Sequence, residues 1–215
     1  MGEAGGAQDG ATGQAPVGQA QAFPVIALVC SAGGLAALVE VLSALPTDLP
    51  AALIVIQHQA PGGDDLLAHV LQPRTLLPIA PVHDGLLLRP GVVHVPPAGH
   101  HLLVTAQRSL LLVPVGPVPP PRPSADLLLS SLALAVGSAA IAVVLSGRGS
   151  DGATGATVVH RCGGVVIAAS PQASAHPDMP LATAERDHIT DHVAEPARIA
   201  ALLVQVVTGT ALRAQ

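Results

Sequence analysis

The stretch Val25-Ile26-Ala27-Leu28-Val29-Cys30-Ser31-Ala32-Gly33-Gly34 decides the fold. Its first five residues are apolar without period-two polarity, the pattern of a strand buried on both faces. Cys30 to Gly34 turn the chain, and Gly34 to Ala44 has the apolar spacing of a covering helix. The unit recurs. Ala52 to Ile56 is a second buried strand, closed by Gln57-His58-Gln59, with a helix from Asp64 to Gln72 after it. Ala140 to Leu145 is another, followed by Gly149-Ser150-Asp151-Gly152, a helix from Asp151 to Arg161 and a strand from Val165 to Ala168. Such alternation specifies an α/β domain: a doubly wound, mostly parallel sheet with helices on both faces.

Leu77 to Pro81 adds a short strand. Val92 to Val95, Leu102 to Thr105 and Ser109 to Val113 are expected to form a small antiparallel excursion, with turns at Pro97-Ala98-Gly99 and Ala106-Gln107. After a proline-rich linker from Pro117 to Pro123, Ser124 is placed to cap a helix through Ala135, and Asp126 suits that helix's positive end. A last helix spans Pro196 to Val207. Residues 1–22 are Gly, Ala and Gln without apolar periodicity and are expected to be a disordered tail. The folded domain is expected over 23–208, with a C-terminal tail at 209–215.

A chain of 215 residues with 50% hydrophobic content suits one domain with a sizeable core. Charged residues are only 11% and the net charge is -5, which argues against phosphate neutralisation and so against a nucleic-acid partner. All nine basic residues are Arg, and Phe23 is the single aromatic, so base-stacking platforms are missing too. Two cysteines make no disulfide framework, and no signal peptide or lipidation motif opens the chain, so a reduced, cytoplasmic setting is expected. The uncharged run from Leu127 to Gly147 is long enough to cross a bilayer as one helix. Ser130, Ser131, Gly137 and Ser138 interrupt it, and its second half turns β-branched, so helix, turn and strand is the better reading, without membrane insertion.

In open parallel sheets, reactive groups collect beyond the carboxyl ends of the strands. Ser31, His58 and Asp151 all fall there. A serine needs a base to attack an ester at neutral pH, an imidazole can take that proton, and a carboxylate can hold the imidazole in one tautomer. The chain order Ser, His, Asp differs from the Ser, Asp, His of α/β-hydrolases, and Val29 breaks G-x-S-x-G. Cys30 reads as a small buried residue. His100-His101 is expected in a turn, and with no H-E-x-x-H or zinc spacing in the chain neither a metal nor a cofactor is called for.

Five motifs then coincide: Cys30-Ser31-Ala32-Gly33-Gly34-Leu35; Gln57-His58 with Pro61-Gly62; Asp84-Gly85 with Arg89-Pro90-Gly91; Arg122-Pro123-Ser124-Ala125-Asp126; and Gly147-Arg148-Gly149-Ser150-Asp151-Gly152-Ala153-Thr154-Gly155. In order and spacing, from about Val25 to Val207, they resemble the catalytic domain of CheB-type chemotaxis protein-glutamate methylesterases. Met179-Pro180 falls where that family has a Gly-Met-Pro turn. The resemblance implies hydrolysis of glutamyl methyl esters on methylated chemoreceptor-like proteins with release of methanol, and deamidation of receptor glutamines. It makes Ser31 the nucleophile, His58 the general base and acid, and Asp151 the residue that orients His58. Backbone N–H groups of Ala32 and Arg148 are the candidate oxyanion donors by position.

The chain departs from the family pattern at three places. Val29 stands where a glycine is usual and would be strained if that position needs positive φ. Arg148 replaces Met in a Gly-Met-Gly run, and Gly63 replaces an aromatic residue after Pro-Gly. Many relatives carry an N-terminal receiver domain, which 22 residues are too few to form, so regulation by a response-regulator receiver is expected to act in trans. The alternative reading is a non-catalytic regulatory or scaffolding domain of the same fold, and a third is a small-molecule esterase or amidase. Asp151 also has a plain structural reading, as the cap of the helix that follows it.

Overall fold

The computed structural model describes residues 23–59, 66–116 and 122–209. Residues 1–22 and 210–215 of the two expected tails, the Pro61-Gly62-Gly63 segment, the start of the second helix at Asp64 and most of the proline-rich linker lie outside the described residues.

Seven strands form one parallel sheet: β1 (Val25–Cys30), β2 (Ala52–Gln57), β3 (Ile79–Pro81), β4 (Val93–Val95), β7 (Ala140–Val144), β8 (Val165–Ala169) and β9 (His192–Ala194), in the spatial order β3-β4-β2-β1-β7-β8-β9. Every neighbouring pair is parallel. β1 is central and fully buried. Its residues alternate between two cores: Val25, Ala27 and Val29 face one, and Ile26, Leu28 and Cys30 the other. On the first face lie α3 (Ala125–Val136) and α4 (Ala153–Arg161); on the second lie α1 (Gly34–Ser43), α2 (Leu67–Leu71) and α6 (Pro196–Val207). A strand flanked by apolar layers on both sides has no use for alternating polarity, which is why the strands read as continuous apolar runs. The architecture is the doubly wound α/β sheet expected.

The antiparallel excursion is smaller than expected. It consists of β5 (His100–Val104) and β6 (Leu110–Pro114) alone, with Leu102 paired to Leu112. Val93–Val95 instead inserts into the main sheet between β2 and β3. The connection from β3 to β4 has no helix, so the βα rhythm that marks the other parallel strands is missing. Gly91 settles the placement by donating its N–H to Ala51 O at 2.9 Å. His100 and His101, expected in a turn, begin β5. Two further elements, α5 (Asp178–Ala184) and β9, were too short for periodicity to reveal. The Leu127 to Gly147 run divides as expected into α3, a single 3-10 turn at Gly137–Ala139 and β7, and no helix among the described residues is long and apolar enough to cross a membrane.

His94 in β4 is wholly buried. Its Nδ1–H donates to Leu53 O at 2.8 Å, which leaves Nε2 as a bare acceptor with no protein partner among the described residues. Burial holds its pKa below the usual histidine value, against the pull of the Leu53 and Val92 carbonyls. The unfolded chain therefore binds a proton that the folded one resists, and stability is lost as pH falls below the ordinary value of about 6.5. Urea denaturation at about pH 7.5 and pH 5.5 should show that loss, and His94→Gln should show a smaller one. An unchanged difference between the two pH values in His94→Gln would assign the pH dependence elsewhere.

Candidate active site

The site is built where β1, β2 and β7 end side by side. Cys30 lies opposite Gln57 and Val29 opposite Val144, so the residues that leave the three strands are neighbours by register. The His58 N–H donates to Cys30 O at 2.9 Å, and the Ser31 N–H to Ser146 O at 2.9 Å. These bonds continue the sheet ladder past the last strand residues. They hold Ser31 between His58 and the chain that leaves β7. Gln59 N–H donates to Arg122 O at 2.8 Å, which ties the histidine loop to the approach of α3.

Asp151 follows β7 and reaches His58, with Oδ2 2.8 Å from Nε2. The imidazole donates, so its proton sits on Nε2 and the Nδ1 lone pair is free to accept one. Asp151 does not cap the helix that follows it; Gly152 occupies that position, with φ 101° and no side-chain cap. The carboxylate turns to the neighbouring helix instead. Its Oδ2 accepts the Ala125 N–H at 2.6 Å, and its Oδ1 accepts the Asp126 N–H at 3.0 Å and the Ser124 hydroxyl at 3.2 Å. Ser124 caps α3 as expected, taking the Leu127 N–H at 3.3 Å, and its own N–H donates to His101 Nδ1 at 3.0 Å.

With its side chain 5% exposed, Asp151 is a charge removed from water. Burial pushes its carboxyl up, but the bonds from His58, Ala125 N–H and Asp126 N–H outweigh burial and hold its pKa below the usual carboxylate value. The positive end of α3 acts in the same direction. Asp126 returns the arrangement, its Oδ1 accepting the N–H groups of Gly152 at 2.9 Å and Gly155 at 2.7 Å. The first N–H groups of α3 are thus held by the aspartate that precedes α4, and those at the start of α4 by an aspartate of α3.

The opposite wall is a tight weave. A Cβ on Gly147 would stand 2.1 Å from Met179 Sδ and 2.7 Å from Ser31 Cβ, so only glycine lets β7's exit pass beneath the serine. Ser146 Oγ donates to Ala32 O at 3.0 Å and accepts the His176 N–H at 2.9 Å. Arg148 is exposed, with Nε 3.5 Å from His176 Nδ1. The N–H groups of Ala32 and Arg148 donate to no group among the described residues. Gly33, at φ 69°, turns the chain from the serine into α1.

The concern over Val29 is removed: it lies in extended β1, wholly buried, and is absent from the residues with positive φ. The turn that needs a glycine comes after the serine, at Gly33. Cys30 is buried, and burial pushes its thiol up to about 12, so it is no thiolate nucleophile at neutral pH. Gly63 lies outside the described residues. Sequence reasoning passed over Ser146 and His176, named His101 only as a turn residue and Met179 only through the family's Gly-Met-Pro turn. Ser146 carried a local signal as a polar residue directly after a buried strand; His176 and His101 arrive from distant segments that only the fold brings near.

Asp151→Ala would strand the Ala125 and Asp126 N–H groups, at a cost of about 2–4 kcal/mol for a buried, charge-assisted set. The carboxyl's depressed folded pKa makes its contribution complete above the unfolded value and lost as pH falls through the folded one. The penalty in urea denaturation should be full at neutral pH and shrink toward about pH 3. A penalty equal at both pH values would show that packing, not the charge, is what the carboxylate contributes.

The CheB methylesterase family model matches residues 26–203. A protein-glutamate methylesterase/protein-glutamine glutaminase of Anaeromyxobacter dehalogenans is 42% identical over 177 residues, 82% of this chain and 52% of that protein. The protein-glutamate methylesterase FrzG of Myxococcus xanthus is 35% identical over 158 residues, 74% of this chain and 47% of FrzG. This chain therefore spans about half the length of the curated relatives it matches. Among solved structures, the CheB methylesterase catalytic domain of Thermotoga maritima superposes with a TM-score of 0.81 at 31% identity, covering 86% of this chain and 100% of that one. A family match that runs through both halves of the sheet, joined to this structural agreement, establishes that the chain belongs to the CheB methylesterase family.

Proposed function

We propose that the domain is a serine hydrolase that removes methyl groups from glutamyl methyl esters on a chemoreceptor-like protein and deamidates glutamines by the same route. The observation that carries this reading is the Asp151–His58 bond of 2.8 Å at the strand end next to Ser31, which leaves His58 Nδ1 as a base. The names of the relatives support protein glutamyl methyl esters and protein glutamines as the substrate class.

Ser31 Oγ attacks the ester carbonyl carbon as its proton passes to His58 Nδ1. Charge develops on the carbonyl oxygen, where the uncommitted N–H groups of Ala32 and Arg148 are the donors offered. Backbone donors survive a side-chain change, so Arg148 in place of Met leaves this role open. The His58 imidazolium forms against an ionised Asp151 and gives its proton to the departing methoxy oxygen. Methanol leaves, and an acyl-Ser31 ester remains. Water then attacks that ester and delivers its proton to His58, which returns it to Ser31 Oγ; the product is the glutamate side chain. Glutamine follows the same course with ammonia as leaving group. The scaffold alternative rested on Val29 and its neighbours, and Val29 is an ordinary extended residue of β1 without positive φ. A response-regulator receiver is the regulator proposed.

Methanol release from methylated receptor membranes is the direct assay. Ser31→Ala should lower the rate by about 10³-fold or more if the three residues act as a unit. Equal rates for the two proteins would contradict the assignment of Ser31, and no release from either would return the domain to a scaffold.

A further inference from the structure

Asp126 does not touch His58, yet it stands next to the carboxylate that does. We propose that Asp126 is a positioning residue for this site: by accepting the first-turn N–H groups of α4 while α3 holds Asp151, it fixes the direction in which Asp151 meets His58. The inference rests on the roles assigned above to His58 and Asp151.

Asp151 sits in the loop between β7 and α4, immediately before Gly152, whose φ of 101° is a conformation that suits glycine. The carboxylate in this loop is held from both sides. On one side, Ser124, Ala125 and Asp126 of α3 supply three donors to its oxygens. On the other, the residue that follows it is held by Asp126 Oδ1 through Gly152 N–H at 2.9 Å, and the first turn of α4 is held through Gly155 N–H at 2.7 Å. Gly155 packs against Asp126 so closely that a Cβ there would stand 3.0 Å from Asp126 Cα and from its carbonyl oxygen. Asp126 is therefore the one side chain of α3 that grips the backbone on the far side of Asp151.

The grip brings two carboxylates together at a cost. Burial pushes the Asp126 carboxyl up, the Gly155 N–H draws it down, and the Asp151 charge raises it again, so that it ends above the usual carboxylate value while Asp151 ends below it. The cationic or titratable groups facing the pair are His58 from β2's end and His101 from β5, with Arg122 beside His101. What the Asp126 oxygen adds is a fixed position for the Asp151 loop, where an error of about 1 Å can cost about 10²-fold in rate; an asparagine oxygen can accept the same two N–H groups.

Three proteins test this: wild type, Asp126→Ala and Asp126→Asn, the last of which keeps an acceptor oxygen for Gly152 and Gly155. Steady-state methanol release should show kcat lowered about tenfold or more in Asp126→Ala with KM within about twofold, the size expected when a supporting partner of a site residue is removed. Asp126→Asn should recover most of it. In parallel, proton NMR of the unliganded proteins reads the His58 Nε2–H that donates to Asp151: its low-field resonance should move or broaden in Asp126→Ala and remain in Asp126→Asn. A folded Asp126→Ala with wild-type kcat and an unmoved resonance overturns the proposal, as does an Asn variant as impaired as the Ala one. The NMR reading needs no turnover. An altered resonance in Asp126→Ala, in a protein whose wild type releases no methanol, would sink the hydrolase reading and leave the positioning role standing.

Discussion

A carboxylate removed from water has to be compensated, and the way Asp151 is compensated organises this site. Moving an isolated carboxylate into a low-dielectric interior is prohibitive, so it survives as an ion only where donors surround it. Here they are the His58 imidazole, the Ser124 hydroxyl and the first two N–H groups of α3. The same set holds its pKa down and keeps it charged beside the imidazole at neutral pH. Because the donors belong to α3 and the acceptor precedes α4, the ion also locks these two helices together on one face of the sheet.

The remaining parts follow from the parallel sheet. A parallel register places the last residues of neighbouring strands at one level, and β2, β1 and β7 are consecutive in the sheet. Ser31 and His58 become neighbours through backbone bonds that any residue could make; only their side chains carry chemistry. Small residues permit the closeness. Gly147 passes under the serine against Met179, and Ser146 ties the serine loop to the His176 segment. The wall facing Asp151 is thus fixed by packing, and the wall that contains Asp151 by charge.

How much of this was legible depends on the kind of signal involved. β1, β2 and β7 announce themselves as apolar runs because both faces of each are buried, and the polar residues directly after them stand out for the same reason. Ser31 and His58 were proposed that way, Asp151 from the polar cluster a few residues past β7, and Ser146 could have been proposed the first way. β4 was misplaced because Val92 to Val95 looks alike in a hairpin or a parallel sheet, and the helix-free connection to it carries no rhythm. β9 has three residues, too few for a period. Asp151 read as the cap of its own helix because capping by sequence neighbours is the common case; that it caps α3, and that Asp126 caps α4 in return, is a tertiary fact with no local trace. Val29 showed the reverse error, a strain inferred from a family pattern and absent from an ordinary strand residue.

The central claim is that a serine, a histidine and an aspartate from three strand ends form one nucleophilic unit. An organophosphorus reagent that phosphonylates activated serines tests it without any need for the natural substrate. Stoichiometric labelling that maps to Ser31 by peptide mass analysis is expected, abolished in His58→Ala and strongly slowed in Asp151→Ala. Labelling of other serines, or of Ser31 at a rate indifferent to His58, would contradict it.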